Sequence, residues 1–342
     1  MKRIGVVGCG QWGPNHVRSF SQSGRSRVVR CADRDPQRLA AMRRLFPGIE
    51  TSEDGLALAR ADDLDCLVVA TPPASHHELV SEALAHGKDV LCEKPLCSDS
   101  RLCADLVAQA ERAERILMVG HVLLYHAAIR ALRERMQDGS LGAVRYLHAT
   151  RTNLGPIRQD VNAAMDLASH DLAIFGYLLG SLPESVSARG QAWLKPGVED
   201  VVFASLRYPG QVLANLHVSW LDPRKVRRFT VVGDAGMALW DDIDVTAPLT
   251  LYDKKVERDL SYENFGEFRL RTHEGDVRIP KIHLVEPLRE QTAHFLDCVE
   301  RRSQPLSDGR NGFEVVCVLE AMAESIARDG APVDVRVPEP GS

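Results

Sequence analysis

The sequence predicts an α/β chain: an N-terminal doubly wound parallel sheet followed by a C-terminal α+β domain with a large, mostly antiparallel open sheet. Three observations predict it. Up to about residue 122, short unbroken apolar runs alternate with helix-length amphipathic segments, as parallel strands joined by right-handed crossovers do. The first run, Lys2 to Gly8, passes directly into Gly8-Cys9-Gly10-Gln11-Trp12-Gly13 and then into a helix. After about residue 123 the pattern changes to two-residue alternation, the period of a half-buried strand. Residues 1–122 and 123–342 are therefore expected to form two domains.

The elements follow in order. His16, Val17 and Phe20 lie on the first helix, and Val28 to Ala32 forms the second strand. Pro36 to Leu45 is a helix closed by Pro47-Gly48, and Ser52 to Leu58 is another with Ser52 as its N-cap. Asp65 to Ala70 is a continuous apolar strand that stops at Thr71-Pro72-Pro73. A helix from Ser75 to Ala85, a strand from Asp89 to Cys92, a helix capped by Ser98 and running to Arg112, and a strand from Ile116 to Val119 complete the first domain. The second opens with a helix through Met136 and a turn from Gly139 to Gly142. Strands are expected at Val144 to Arg151, Ser185 to Trp193, Val201 to Arg207, Val212 to Ser219 and Phe229 to Val232, with Pro209-Gly210 as a hairpin turn. Ala164 to Leu179 is a helix stopped by Gly180, and a closing helix spans about 312–328. The tail from Pro338 to Ser342 is expected to be loose.

The glycine-rich turn has the physics of a dinucleotide site. Gly8 permits the tight turn, Gly10 the approach of a pyrophosphate to the backbone, and Gly13 the packing of helix on strand. The helix N-terminus presents unpaired N–H groups and a positive dipole end to the phosphates. Asp33, twenty residues past Gly13, is placed to accept hydrogen bonds from a ribose diol and to repel a 2′-phosphate. NAD is the expected cofactor, and Arg34 beside the acid keeps NADP as the alternative. Open sheets hold ligands outside the carboxyl ends of their strands. Gln11, Trp12, Thr71, Pro72, His76, Glu93 and Lys94 are thus the further expected cofactor contacts.

Composition narrows the class. Hydrophobic residues at 44% and charged residues at 26% are ordinary for a globular enzyme. A net charge of −5 with scattered arginines leaves no footprint for nucleic acid. No apolar run reaches the roughly 20 residues of a membrane span, and the first residues enter a strand with no leader pattern. A cytoplasmic protein without membrane contact is expected. The eight cysteines form no C-x-x-C pair and no zinc-spaced cluster, so free thiols and no metal are expected.

Two constellations carry chemistry. Glu93-Lys94-Pro95 stands at a strand's carboxyl end, where a lysine faces the cofactor; the plainer reading is a surface lysine before a turn. Asp166 and His170 are four apart, one helical turn on one face. A carboxylate orienting an imidazole suits general base work on a hydroxyl, and an ordinary helix-surface ion pair has the same spacing.

The glycine-rich loop, Glu93-Lys94-Pro95 and the Asp166-x-x-x-His170 pair, together and in this order, resemble the glucose–fructose oxidoreductase / inositol dehydrogenase / rhizopine catabolism (Gfo/Idh/MocA) family. Glu286-Pro287-Leu288 and His294-Phe295-Leu296 extend the resemblance over almost the whole chain. It implies a Rossmann domain joined to an α/β domain whose open sheet often serves oligomerisation, here a homodimer or homotetramer. It implies a catalytic set of Lys94, Asp166 and His170, with His170 as acid/base, Lys94 on the reacting oxygen and Asp166 positioning. Gly155 to Asn162 and Ser219 to Arg227 are similar to dehydrogenases of UDP-N-acetylhexosamines and their uronates, which oxidise the sugar 3-hydroxyl. On that reading a UDP-linked amino sugar is the substrate, and Arg151, Arg158, Lys225 and Arg227 include diphosphate contacts or are ordinary surface charges. Asn162 meets a sugar hydroxyl or caps the helix beginning near Ala164. His121 and Tyr125 join the expected substrate contacts, although His121, like His76, has a local backbone role as its alternative. The resemblance departs at Tyr125-His126-Ala127, where related nucleotide-sugar enzymes often have Tyr-Asn-Pro. An unactivated sugar, aminosugar or inositol is the second substrate reading. A cofactor-sensing regulator and an NAD-using glycosidase are further alternatives.

Overall fold

The structure, a computed structural model, describes residues 1–158, 160–259 and 269–338. Gln159, within the nucleotide-sugar-like stretch, and tail residues 339–342 lie outside them.

The first sheet is built from β1 (Lys2–Val7), α1 (Gly13–Gln22), β2 (Ser26–Ala32), α2 (Pro36–Leu45), β3 (Glu50–Ser52), α3 (Gly55–Arg60), β4 (Cys66–Val69), α4 (His76–Ala85), β5 (Asp89–Cys92), α5 (Ser100–Arg112) and β6 (Leu117–Val119). Its order is β3-β2-β1-β4-β5-β6 and every pair is parallel. Ile4, Val6, Val68 and Leu91 have no solvent exposure, which is why these strands are apolar without alternation. Strand order reverses between β1 and β4, and the crevice outside the carboxyl ends there is where such sheets take ligands. Two expected caps are shifted. Ser52 ends the short strand β3, and Asp54 caps α3 by accepting from the Ala57 N–H at 3.0 Å. Asp99, not Ser98, caps α5, accepting from the Arg101 N–H at 2.8 Å.

Among the described residues the second sheet has nine strands. Around α6 (Ala127–Gln137) and α7 (Ser169–Leu179) run β7 (Val144–Leu154), β8 (Ser185–Gln191), β9 (Val201–Tyr208), β10 (Val212–Ser219), β11 (Leu221–Gly233), β12 (Met237–Asp241), β13 (Leu249–Asp259), β14 (Arg269–Arg278) and the late β15 (Val333–Asp334). The order is β14-β13-β12-β11-β7-β10-β9-β8-β15, antiparallel except for the β7–β10 pair. One face is packed: Phe175 of α7 meets Phe229 at 5.1 Å and Tyr208 at 6.5 Å between ring centroids. The other face stays open, with Tyr146, Phe203 and Leu213 each more than two-fifths exposed. The helix expected from Ala164 begins as a turn of π-helix, Ala164–Ala168, before α7, and Gly180 closes it in the left-handed region. Asp166 therefore lies on the π-turn and His170 on α7, so their spacing is not that of a plain α-helical turn.

The chain divides into two compact units. The first is Met1–His126 with Val285–Glu320 and the described residues from Arg336; the second is Ala127–Leu284 with Ala321–Val335. The expected boundary at 122 is near the first crossing, and the chain returns to the first unit at Val285–Glu320 and from Arg336. The reason is packing within the first unit. In α8 (Pro287–Arg301), Phe295 meets Phe20 of α1 edge-on at 6.0 Å, and Thr292 Oγ1 pairs with Ser19 Oγ at 2.8 Å. The closing helix α9 is Gly309–Ala327, and a Cβ at its Gly312 would stand 2.6 Å from Val119 of β6.

Candidate functional site

The loop after β1 is shaped by backbone approach. A Cβ at Gly8, whose φ is +95°, would stand 2.4 Å from the Ala70 carbonyl oxygen, and one at Gly13 would stand 2.0 Å from that of Gly8. At Gly10 the nearest atom is Arg38 Nη1 at 3.5 Å, so that glycine leaves clearance rather than filling a contact. Trp12 is the N-cap of α1 and supplies no side-chain hydrogen bond, and no acidic residue stands in the first turn. The helix start thus keeps N–H groups without a side-chain acceptor, which a pyrophosphate satisfies. Gln11 is exposed, and its carbonyl accepts from Asn15 Nδ2 at 3.0 Å. Asp33 accepts from the Cys9 N–H at 2.7 Å and the Asp35 N–H at 2.9 Å; Arg34 is exposed. These residues fit a dinucleotide.

At the next strand ends the polar groups are tied to one another. Glu93 Oε1 accepts from His16 Nε2 at 2.8 Å, and its other oxygen accepts from the Lys94 N–H at 3.2 Å. Burial pushes the Glu93 carboxyl up, but the His16 hydrogen bond and the charges of His16 and Lys94 outweigh it and hold the pKa below the ordinary range. Gly120 gives this carboxylate room, since a Cβ there would lie 3.1 Å from Oε2. Lys94 itself is half-buried and precedes a cis Pro95. His76 is fully buried with both ring nitrogens against backbone carbonyls: Pro95 and Leu96 at 3.0 and 3.1 Å, Thr71 at 2.8 Å. It stitches the end of β4 to the Lys94-Pro95 turn. Thr71 Oγ1 accepts from Ser75 Oγ at 2.8 Å, and Pro72 is exposed. Tyr125 is buried, with its hydroxyl 3.0 Å from Ser307 Oγ, which donates onward to the Val119 carbonyl. His121 is 1% exposed, and neither ring nitrogen has a hydrogen-bond partner among the described residues. Burial first, then the Lys94 cation, pull its pKa from 6.5 down to about 4 against the opposing charge of Glu93. The imidazole is therefore neutral in use.

In the second unit, Asp166 is held on both oxygens. Trp220 Nε1 donates to Oδ2 at 3.2 Å and Arg158 Nη1 to Oδ1 at 3.3 Å. Arg158 also forks onto Asp160, at 3.0 and 2.6 Å, and that bond, with Asp166 behind it, raises the guanidinium pKa against its partial burial. One residue past His170, Asp171 takes both prongs of Arg151, at 2.9 and 2.8 Å, and the pair is almost completely buried. Arg151 is thus a brace beneath α7. Asn162 accepts from the Met165 N–H at 2.9 Å and donates to Glu199 at 2.6 Å, which is the capping role. Arg227 pairs with Asp242 at 3.1 Å, and Lys225 is exposed. His170 is partly buried on α7. Sequence reasoning passed over His16, Arg38 and Trp220 as site residues. His16 lies one turn into α1 with the glycine loop before it, a signal that existed; no local pattern marks Trp220 as the partner of an acid.

Among the described residues no group of His, Cys, Asp and Glu is arranged to hold a metal, and no helix is long and apolar enough to cross a membrane. Residues 2–121 match the model of an oxidoreductase family with an NAD-binding Rossmann fold, and residues 129–239 match the GFO/IDH/MocA C-terminal domain. An inositol 2-dehydrogenase of Burkholderia multivorans is 32% identical over 237 residues, 68% of this chain and 64% of that protein. The chain thus matches less than two thirds of that relative's length. In structure, a UDP-N-acetylglucosamine 3-dehydrogenase from Acidithiobacillus ferrooxidans aligns at TM-score 0.80 and 23% identity over 96% of this chain and 98% of its own. The WlbA dehydrogenase of Bordetella pertussis, solved with NADH and UDP-GlcNAcA, aligns at TM-score 0.80 and 22% identity over 98% and 99%. With its glycine cradle, its Asp33 and its two matched domains, this chain belongs to the Gfo/Idh/MocA family of oxidoreductases and carries that family's NAD-binding Rossmann domain.

Proposed function

We propose that the protein is an NAD-dependent dehydrogenase of a secondary alcohol on an unactivated cyclic polyol or sugar. The observation that carries the substrate class is the pairing of the cations. Arg151, Arg158 and Arg227, three of the four cations expected at a diphosphate, are bonded to Asp171, Asp160 with Asp166, and Asp242, which leaves the exposed Lys225 as the fourth. A hydroxyl-rich neutral ring asks for no such charge. The sequence relatives named inositol 2-dehydrogenase agree. The UDP-linked N-acetylhexosamine, oxidised at its 3-hydroxyl, is the second reading, favoured by the fold shared with the UDP-N-acetylglucosamine 3-dehydrogenase.

Bound at the glycine loop and Asp33, NAD would supply the acceptor for the hydride of the carbinol carbon. The chain's own residues do the rest. Lys94, positioned by the Glu93 and His76 contacts around its turn, donates a hydrogen bond to the reacting oxygen and stabilises its negative charge. His170 takes the hydroxyl proton, and Asp166, fixed by Trp220 and Arg158, keeps the local charge favourable to that transfer. The open face of the second sheet, where Tyr146 registers with Leu213 and Phe203 stacks on His217 at 4.3 Å, suits association with a second copy. Eight buried free cysteines suit a reducing cytoplasm.

Absorbance at 340 nm with NAD and either myo-inositol or UDP-N-acetylglucosamine separates the two substrate readings. NADH from the polyol alone supports the first; NADH from the nucleotide sugar alone replaces it with the second.

A further inference from the structure

Asp33 and Arg38 form an unequal pair at the adenosine end of the dinucleotide loop. The acid is fixed: two backbone N–H groups, of Cys9 and Asp35, hold its two oxygens, and its side chain is 9% exposed. Arg38, from the first turn of α2, is 53% exposed and meets Asp33 at 3.4 Å and Asp35 at 3.5 Å. It also overhangs the loop, 3.5 Å from where a Gly10 Cβ would stand. One guanidinium thus meets the acid that reads the ribose and stands over the space that Gly10 leaves open for the pyrophosphate. Ion pairs this long and this exposed are weak and exchange readily. A guanidinium offered a phosphate prefers the two-pronged bond.

We propose that Arg38, rather than Arg34, sets how far this chain tolerates NADP. Asp33 keeps NAD preferred, because its immobile charge repels a 2′-phosphate. Arg38 neutralises part of that charge and is free to leave Asp33 and Asp35 for the phosphate when NADP arrives. The chain is then NAD-preferring without being NAD-exclusive, and this holds whatever the alcohol substrate proves to be.

Binding, not turnover, tests it. NADH and NADPH are titrated by nucleotide fluorescence against the full chain and its Arg38→Ala, Arg38→Lys and Arg34→Ala variants. Wild type should bind NADPH within about 100-fold of NADH, and Arg38→Ala should weaken NADPH on the order of tenfold more than NADH, the scale of one charge-assisted pair. Arg38→Lys should fall between, and Arg34→Ala should leave the NADH-to-NADPH ratio within about threefold of wild type. The proposal is overturned if Arg38→Ala moves both nucleotides alike, if Arg34→Ala carries the change, or if wild type binds NADH and no NADPH. Failure of both nucleotides to bind removes the proposal together with the site.

Discussion

Asp33 and Asp171 are acids in the two units of the chain, and they are held by opposite means. Asp33 rests on two backbone N–H groups, one from the turn after β1 and one from the turn after β2, which are there whatever the neighbouring side chains are. Asp171, and with it the π-turn and helix that carry Asp166 and His170, rests on side-chain cations: Arg151 beneath α7 and Arg158 at the π-turn. The cofactor loop is thus specified by backbone geometry, and the α7 region of the second unit by a set of ion pairs. Backbone geometry tolerates little change, whereas ion pairs are rewritten by single substitutions.

The largest way to break that contrast is at the buried pair. Arg151→Ala leaves the Asp171 carboxylate buried without its cation and should cost about 3–5 kcal/mol in urea unfolding. Exchanging both residues for apolar ones of similar volume should recover most of the loss. A loss below 1 kcal/mol would mean that the second unit does not depend on this pair.

The pH dependence of the first unit comes next. With His121 lowered from 6.5 to about 4, the unfolded chain binds its proton first as pH falls. Stability from this group is therefore complete above pH 6.5 and lost progressively toward pH 4, on the order of 3 kcal/mol at most. Glu93, also lowered, loses its contribution in the same direction at lower pH. Denaturation midpoints between pH 4 and 8 should fall less steeply in His121→Asn than in wild type. Parallel curves would remove His121 as the cause.

A third test strikes the backbone geometry. Gly13→Ala places a methyl 2.0 Å from the Gly8 carbonyl oxygen, a backbone atom with no free side to retreat to. Strain of about 1–3 kcal/mol and a lost NADH fluorescence signal are expected; unchanged NADH affinity would contradict the cradle. The smallest expected effect sharpens the substrate end. Trp220→Phe keeps the ring and removes the N–H on Asp166 Oδ2, which should lower kcat near tenfold, about 1.5 kcal/mol, and alter its pH profile with little change in the KM for NAD. A fall in stability with an unaltered profile would make Trp220 a packing residue.

The same contrast explains what the sequence could disclose. Gly8, Gly10, Gly13 and Asp33 were legible because backbone approach admits few residue types, and the unbroken runs of β4 and β5 because burial on both faces does the same. Arg151 reads in sequence as a diphosphate contact or a surface charge, because no pattern shows a guanidinium meeting an acid twenty residues on, across a sheet and a helix. β3 escaped notice because Glu50-Thr51-Ser52 is polar and three residues long, and β13 because Asp253-Lys254-Lys255 interrupts its alternation. The π-turn at Ala164–Ala168 has no signature in residue type, so in sequence the Asp166 to His170 spacing matches a plain helical turn.

Lys94 is the residue on which the proposed alcohol oxidation depends most. Wild type and Lys94→Ala are compared for NADH formation from NAD and a panel of polyols, sugars and UDP-sugars, with NADH affinity measured on the same samples. Turnover of a cyclic polyol or sugar should vanish in the variant while NADH still binds. Turnover that survives in Lys94→Ala, or a wild type that binds NADH and oxidises nothing in the panel, would contradict this expectation.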